Sequence, residues 1–301
     1  MPGLSTGSVL LWLQKSGAKR SEMAKKLIII GGATATGKTA LAIELAKSLK
    51  TEILSADSRQ FYREMSIGTA KPSSEELAAV KHHFIDSLSV TDDYSVGDFE
   101  RDALHVLEKI FQEKEAAILV GGSGLFIRAV SDGLDPFPEV SPETRNRVAE
   151  GEQTGGLAWM QAELEQRDPD YFAAVDQQNP ARLRRALEVC QESGLPYSHF
   201  LRDEKARRPF DIERRLLSLP RPELYARIDA RVDEMISNGL EAEAYSLLPY
   251  RHRPALRTVG YEEFFDFFDG KIGRKEAIDK IKQHSRNYAK RQETWFRKYW
   301  E

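Results

Sequence analysis

The segment Gly32-Ala33-Thr34-Ala35-Thr36-Gly37-Lys38-Thr39 follows directly on the apolar run Leu27-Ile28-Ile29-Ile30, and this junction decides the fold. Its pattern, G-x-x-x-x-G-K-T between a buried strand and a helix, is that of a phosphate-binding loop. The glycines let backbone N–H groups turn toward phosphate oxygens, and the following helix points its positive dipole end at them. We predict that the whole loop binds a diphosphate or nucleotide, that Lys38 reaches the terminal phosphates, and that the Thr39 hydroxyl ligates Mg²⁺.

The segments after the loop do not supply the acid that hydrolytic enzymes with such loops carry. Those enzymes hold Mg²⁺ with an Asp at the end of a second apolar strand. The best second strand, Ala116–Val120, runs instead into Gly121-Gly122-Ser123-Gly124, and His82–Asp86 is too short and polar for a buried strand. The loop is therefore predicted to hold a phosphorylated group whose transfer depends on residues elsewhere.

The composition indicates a soluble globular protein, with 41% apolar and 30% charged residues in a chain of 301. A chain of this length forms one large domain or two smaller ones. The single cysteine, Cys190, excludes an intramolecular disulfide and a cysteine-rich zinc site, and its position on an apolar helical face predicts a packing role. The apolar stretch Val9–Leu13 is too short for a membrane span. We expect a cytoplasmic protein without a membrane partner, and a monomer.

Charge is unevenly distributed along the chain. The net charge is −3, yet residues 271–301 carry ten Lys or Arg against four acids. Aromatic residues alternate with these cations over 288–300. Such a pattern suits an RNA backbone and unstacked bases. It equally suits a surface helix whose aromatic stripe packs on the core, and composition leaves both interpretations open.

The order of apolar segments predicts an α/β fold: a P-loop NTPase-like parallel sheet flanked by helices, with an inserted all-helical domain. Residues 1–24 are predicted to be an N-terminal arm, disordered or additional to the globular sequence. The core domain is predicted to comprise residues 25–131 and 202–301, and the helical insertion residues 132–201. Strands are predicted at 27–31, 52–56, 117–121 and 215–219, and the longest helices at 38–49, 95–115, 142–151, 156–166, 180–192, 222–236 and 274–299.

Seven short segments in a fixed order carry a family resemblance. They are Gly32–Thr39, Asp57–Gln60, Gly68–Pro72, Gly121–Phe126, Asn179–Glu188, Val259–Glu263 and Tyr288–Phe296. With these segments the chain resembles the bacterial tRNA dimethylallyltransferase (tRNA isopentenyltransferase) family over residues 25–300. The family usually has Thr where this chain has Ser123, and the serine keeps the hydroxyl.

The resemblance implies a reaction. A dimethylallyl group would pass from dimethylallyl diphosphate to the exocyclic N6 amine of the tRNA adenosine that follows the anticodon. Asp57 comes directly after a predicted strand, at the sheet edge where open α/β proteins bind ligands. The family assigns Asp57 the role of general base, and Ser123 would hydrogen-bond the same amine. Mg²⁺, held by Thr39, is the implied cofactor.

The resemblance also implies contacts with the anticodon stem-loop of tRNA, whose target base must be turned outward. Arg182 and Arg185 share a helix face after Asn179-Pro180, and the family places this helix against the tRNA. For Arg145 and Arg257, phosphate contact and plain surface charge remain equally open. The expected tRNA-binding residues are Asp57, Ser58, Arg59, Gln60, Ser123, Arg145, Ala181, Arg182, Leu183, Arg184 and Arg185, with Arg257, Lys290 and Arg291 as further candidates.

Two other functions are compatible with parts of the sequence. An isopentenyltransferase acting on free adenine nucleotide would share the loop and Asp57, but it would need neither the helical insertion nor the basic C-terminal segment. A nucleotide-gated RNA-binding protein would use ATP in the loop without transfer chemistry. The missing second-strand Asp and the pair Asp57 and Ser123 argue against that alternative.

Overall fold

A computed structural model describes residues 25–202 and 204–300, so the predicted N-terminal arm lies outside the described residues. The chain forms two compact units. The core unit contains the residues up to Ser131 and from Arg208 onward, and the insertion unit is Asp132–Arg207. The predicted end of the insertion, at residue 201, falls before the observed one.

A parallel five-stranded sheet organises the core unit. Its strands are β1 (Lys26–Gly32), β2 (Ile53–Ser55), β3 (His82–His83), β4 (Ala116–Gly121) and β5 (Asp211–Leu217). The spatial order is β3-β2-β4-β1-β5, and every neighbouring pair is parallel. The predicted α/β class is confirmed. Because all strands run in one direction, the loops that follow β1, β2 and β4 meet at a single edge of the sheet.

Alternation along β1 explains why this strand is apolar throughout. Leu27 and Ile29 belong to the core on one face of the sheet, and Ile28 and Ile30 belong to the core on the other. Successive side chains of a strand point to opposite faces, so a strand covered on both sides needs apolar residues at every position.

The helices of the core unit cover both faces of this sheet. They are α1 (Lys38–Leu49), α2 (Ser74–Ala79), α3 (Val96–Glu113), α4 (Gly124–Asp132), α8 (Arg221–Ser237), α9 (Leu240–Ser246), α10 (Glu262–Phe268) and α11 (Arg274–Trp300). Helix α1 packs through Ala42, Ile43 and Ala46 on one face. Buried aromatic side chains of α3, α10 and α11 pack on the other.

The two edge strands differ from their predictions. Strand β5 runs over Asp211–Leu217 instead of 215–219. Its first five residues are mostly charged, which an edge strand tolerates, so the sequence pattern did not mark its start. The His82–Asp86 segment is indeed no buried strand, but its first two residues form the short, half-buried edge strand β3. Asp86 pairs with Lys71 and therefore has a structural partner.

The insertion unit is helical. Its helices are α5 (Pro142–Arg167), α6 (Pro169–Ala174) and α7 (Pro180–Ser193). The two helices predicted at 142–151 and 156–166 form α5, which has a kink where Gly156 adopts a φ of 61°. Cys190 is buried among apolar side chains of this unit, and burial raises the pKa of its thiol. Its predicted packing role agrees with this position.

None of the helices within 25–202 and 204–300 is long and apolar enough to cross a membrane.

Candidate active site

A cavity of about 170 Å³ opens at the edge of the sheet where β1, β2 and β4 end. The predicted site residues Lys38, Thr39 and Asp57 line it. Helices α8 and α11, from the C-terminal third of the chain, complete its wall. Segments far apart in the sequence therefore contribute to one site within the core unit.

The phosphate-binding loop adopts a curled backbone. Ala35 and Gly37 have φ values of 64° and 90°, in the left-handed region. A hydrogen bond of 2.8 Å from the Thr36 hydroxyl to the Ala33 carbonyl closes the turn. A side chain at Gly32 would lie 2.4 Å from the Leu217 carbonyl of the neighbouring strand. The sequence pattern thus produces a left-handed loop ahead of α1, which is the geometry that turns N–H groups toward an anion.

Lys38 lies folded against this loop. Its ammonium donates a hydrogen bond of 2.5 Å to the Ala33 carbonyl. Burial lowers the pKa of Lys38 to about 8; Asp57 opposes this effect and Arg231 adds to it. A bound phosphate would supply the opposing charge that the buried ammonium lacks.

Asp57 follows β2 at the same edge. Burial raises the pKa of its carboxyl group, although the backbone N–H of Arg59, 3.1 Å from Oδ1, and the nearby charge of Lys38 oppose the shift. A carboxylate with a raised pKa in a cavity has the properties of a general base. Asp57 lines the same cavity as Lys38 and Thr39 of the phosphate loop, which is the position that the sequence predicted.

Ser123 holds the loop after β4 against the loop after β2. Its Oγ accepts a hydrogen bond of 3.2 Å from the Ser58 N–H and lies 3.4 Å from the Ser58 hydroxyl. Its own N–H donates to the Ala56 carbonyl at 3.3 Å. A side chain at Gly121 would lie 2.2 Å from that carbonyl, so glycine is required for this close approach.

Arg59 and Gln60, both predicted to contact tRNA, use their side chains within the chain. Arg59 donates to the carbonyls of Pro254 and Arg257 at 3.2 and 3.3 Å. The Gln60 amide donates to two carbonyls, those of Thr69 and Ala70, at 3.2 and 3.3 Å. Both side chains fix loops of the cavity, while the side chain of Arg257 is exposed.

Arg231 on α8 is a site residue that the sequence prediction missed. Its guanidinium donates a hydrogen bond of 3.2 Å to the Thr34 hydroxyl in the phosphate loop. Burial lowers the pKa of Arg231, and Asp57 opposes this shift. No local motif marked this position, because Arg231 lies within an ordinary amphipathic helix whose packing alone brings it to the loop.

Helix α11 contributes Tyr288 and Gln292, which also line the cavity. Burial raises the pKa of the Tyr288 hydroxyl, as does the charge of Asp57. The two residues belong to the segment Tyr288–Phe296 that carried the resemblance; the sequence placed Tyr288 only among the aromatic residues of the C-terminal pattern and indicated no role for Gln292. Their position in this segment is the sequence signal that could have identified them as site residues.

Three aromatic residues of α11 are part of the core, whereas Tyr299 and part of Tyr288 are exposed. Phe296 is buried, and Trp295 and Trp300 pack against the same cluster. For these residues the packing interpretation of the C-terminal pattern is correct. Lys290 and Arg291 remain exposed, and the Arg291 guanidinium lies 5.7 Å from the centre of the Tyr288 ring.

In the insertion unit, the predicted tRNA-binding residues fall into two groups. Arg145, Ala181 and Arg182 are exposed, and the half-buried Arg185 lies 5.6 Å from the Phe137 ring centre. Leu183, by contrast, is completely buried in the unit's apolar core, which corrects its predicted contact with tRNA: its position in the motif reflects packing.

Arg184 is the remaining member of that prediction. Its guanidinium makes a two-point ion pair with Glu152, with both contacts at 2.5 Å. A guanidinium engaged in this way has fewer donors left for phosphate. Arg184 therefore has a structural partner in the unit, whereas the structure describes no ion pair for Arg182.

Thr39 is the residue available for a metal ion. It lines the cavity together with Lys38 and Asp57. Within the described ranges, no three His, Cys, Asp or Glu residues form a group that could hold a metal ion. Mg²⁺ commonly binds through one or two protein oxygens, substrate phosphates and water. The residues present fit that kind of site.

Comparisons with known proteins agree with one another. A family model described as IPP transferase matches residues 60–299. The chain is 50% identical to the tRNA dimethylallyltransferase of Christiangramia forsetii, over 92% of this chain and 91% of that protein. It is 46% identical to the enzyme of the same name from Cytophaga hutchinsonii, over 91% and 90% of the two chains.

Solved structures give the same result. The tRNA isopentenylpyrophosphate transferase of Bacillus halodurans is similar with a TM-score of 0.66 and 36% identity, over 91% of this chain and 87% of that one. A eukaryotic dimethylallyltransferase acting on tRNA is similar with a TM-score of 0.77 and 25% identity, over 91% and 70% of the two chains.

Proposed function

The chain belongs to the IPP transferase family, and from that premise we propose that it transfers a dimethylallyl group from dimethylallyl diphosphate to tRNA. The acceptor is the exocyclic N6 amine of the adenosine 3′-adjacent to the anticodon, and the product is N6-isopentenyladenosine. The observation that carries this proposal is the cavity in which Lys38 and Thr39 of the phosphate loop lie together with Asp57.

The phosphate loop forms the donor end of the cavity. As the bond between the allylic carbon and the diphosphate oxygen breaks, negative charge develops on the leaving group. Donors fixed in advance stabilise such charge most effectively. Lys38, the N–H groups of the loop and Arg231 are in position for this role, because all three lie at the same end of the cavity.

Asp57 forms the acceptor end. The adenine amine is a weak nucleophile because its lone pair is delocalised into the ring, and it must lose a proton as the new carbon–nitrogen bond forms. The Asp57 carboxylate takes that proton. The Ser123 hydroxyl, which already bonds Ser58 beside Asp57, orients the amine.

We propose Mg²⁺ as the cofactor, held by the Thr39 hydroxyl together with diphosphate oxygens. When bound, the ion would supply positive charge that stabilises the leaving diphosphate. The residues of the chain do the remaining work: the loop binds the diphosphate, and Asp57 moves the proton.

The proposed tRNA surface includes arginines of the insertion unit, foremost the exposed Arg182 and the half-buried Arg185. We propose that the enzyme acts as a monomer. A cytoplasmic location is proposed because the substrate is tRNA.

Radiolabelled dimethylallyl diphosphate tests the proposal when it is offered with unmodified tRNA, with AMP or with neither. We expect label in tRNA alone, and nucleoside analysis should recover it as N6-isopentenyladenosine. Label in AMP would indicate the free-nucleotide enzyme. Hydrolysis of ATP without tRNA and without prenyl transfer would indicate a nucleotide-gated RNA-binding protein.

A further inference from the structure

Gln292 of α11 joins two loops of the cavity through the two ends of its side-chain amide. Its Oε1 accepts a hydrogen bond of 2.9 Å from the Thr34 N–H, and its Nε2 donates one of 2.9 Å to the Gly122 carbonyl. The residue is only 7% exposed. Both the donor and the acceptor of this buried amide are hydrogen-bonded. Because a buried donor or acceptor that loses its partner destabilises the fold, the amide fixes the positions of both partners.

The two loops that Gln292 joins serve different parts of the proposed reaction. Thr34 lies in the phosphate loop, at the donor end of the cavity. Gly122 directly precedes Ser123, whose hydroxyl holds the loop of Asp57 at the acceptor end. Gln292 therefore connects the groups that bind the leaving diphosphate with those that orient the attacking amine.

Both partners of Gln292 are closely constrained. Arg231 contacts the Thr34 hydroxyl while Gln292 holds the Thr34 N–H, so α8 and α11 fix this residue from two directions. A side chain at Gly122 would lie 2.2 Å from the Gln292 Nε2. Glycine at this position thus leaves the space that the amide occupies.

We propose that Gln292 is a positioning residue that sets the spacing between the diphosphate-binding loop and the amine-binding loop. The proposal rests on the prenyl transfer proposed above. Gln292 itself acts through Thr34 and Gly122. Transfer between two bound substrates requires the reacting atoms to be about 3–3.5 Å apart, and a displacement of 1 Å can cost about a hundredfold in rate.

The chemistry of the amide provides the test. In Gln292→Glu, the ionised carboxylate can still accept from the Thr34 N–H, but it has no proton to donate to the Gly122 carbonyl. When protonated, the same side chain has one acceptor and one donor, as the amide does. Burial raises the pKa of a carboxyl group, so we expect the introduced carboxyl group to become protonated within the pH range of ordinary assays. Gln292→Met fills a similar volume but restores neither bond at any pH.

The experiment measures kcat and KM of each variant relative to wild type at every pH from about 5.5 to 8.5. Gln292→Met should lose roughly tenfold to a hundredfold in kcat at all pH values. Gln292→Glu should match that loss at high pH and approach wild type as the pH falls. Gln283, exposed on the same helix, supplies matched controls: Gln283→Glu and Gln283→Met should equal wild type throughout.

Two kinetic results would overturn the proposal. One is a Gln292→Met kcat within twofold of wild type. The other is a Gln292→Glu loss that does not change with pH. The KM for tRNA should remain unchanged in both variants, because the buried Gln292 side chain has almost no exposed surface with which to contact tRNA.

Binding of inorganic pyrophosphate, measured by calorimetry, separates this proposal from the proposed function. Gln292→Met should bind pyrophosphate several-fold more weakly than wild type, and Gln292→Glu should regain affinity at low pH. These effects require the loop to be positioned by Gln292 and do not require tRNA to be the acceptor. An inactive wild-type protein would contradict the proposed function, whereas unchanged pyrophosphate affinity in Gln292→Met would contradict the proposed role of Gln292.

Discussion

At the scale of single residues, Lys38 and Asp57 are the two cavity groups whose proton equilibria matter most. Burial shifts the pKa of each toward its neutral form, downward for Lys38 and upward for Asp57. The attraction between the Lys38 ammonium and the Asp57 carboxylate opposes both pKa shifts, but only in part. Without a bound anion, the charges of Lys38 and Asp57 are therefore only partly stabilised in the cavity. For this reason we expect anion binding and turnover to depend on pH.

Binding of pyrophosphate should weaken above pH 8. The pKa of Lys38 is about 8 in the free protein, so the ammonium that attracts the anion is lost as the pH rises through this value. We expect an affinity decrease approaching tenfold per pH unit, since the anion binds the charged form. Calorimetry between about pH 6.5 and 9.5 measures it. In Lys38→Arg, which stays charged, the affinity should not fall in this range; an equal fall would assign the effect to another group.

Turnover should decrease at acidic pH because the Asp57 carboxylate is the proposed base. Its pKa is raised, so protonation removes the base at a pH above the ordinary range for aspartate. Asp57→Ala should lower the single-turnover rate constant by about a hundredfold or more, and the remaining rate should no longer decrease at acidic pH. Binding of tRNA should stay nearly intact. An undiminished single-turnover rate in Asp57→Ala would exclude it as the base.

At the scale of secondary-structure elements, α11 determines how the cavity is built. The helix packs Trp295, Phe296 and Trp300 against the ends of the central strands. Side chains at Gly31 or Gly124 would collide with these rings. Gly31 of β1 and Gly124 at the start of α4 therefore leave the space in which α11 packs.

Replacing Gly124 by alanine should destabilise the protein. The new Cβ would lie 2.2 Å from the Trp295 ring, so the ring or the helix must move. Overpacking of this kind costs roughly 1–3 kcal/mol, and thermal unfolding should show a clearly lower Tm. Gly273→Ala is the matched control, because a Cβ there meets nothing within 4 Å and its Tm should change little. A Tm for Gly124→Ala equal to that of the control would contradict this packing.

At the scale of the whole molecule, the distribution of charge decides how an acidic protein binds a polyanion. The net charge is −3, so attraction to tRNA must come from local groups of cations. In the insertion unit these are the arginines of α7: Arg182 is exposed, Arg185 is half-buried and lies 3.7 Å from Glu188, and Arg184 pairs with Glu152.

The double variant Arg182→Ala/Arg185→Ala should flatten the salt dependence of tRNA binding. Each cation that neutralises a phosphate adds roughly 0.7–0.9 to the slope of log affinity against log salt, so the slope should fall by about one to two. Arg167→Ala, which removes an exposed arginine of the same unit, is the control and should leave the slope unchanged. Native affinity of the double variant at several salt concentrations would show that α7 does not contact tRNA.

The sequence by itself determined the parts of this protein that depend on local patterns. The apolar run before Gly32–Thr39 predicted a buried parallel strand, and the loop pattern predicted a tight turn ahead of a helix; both are observed. They could be predicted because a strand buried on both faces, and a loop that must turn left-handed, tolerate few residue types. Phosphate binding by the loop and the catalytic roles of Asp57 and Ser123 stay predictions.

The packing of the helices determines which distant side chains complete the cavity and which motif residues are buried. Arg231 and Gln292 reach Thr34 through helices α8 and α11, and no local signal marks such a meeting. Leu183 and Phe296 lie in motifs, yet they are buried. The physical reason is that burial and long-range hydrogen bonds depend on how elements pack, and packing is a property of the folded chain as a whole.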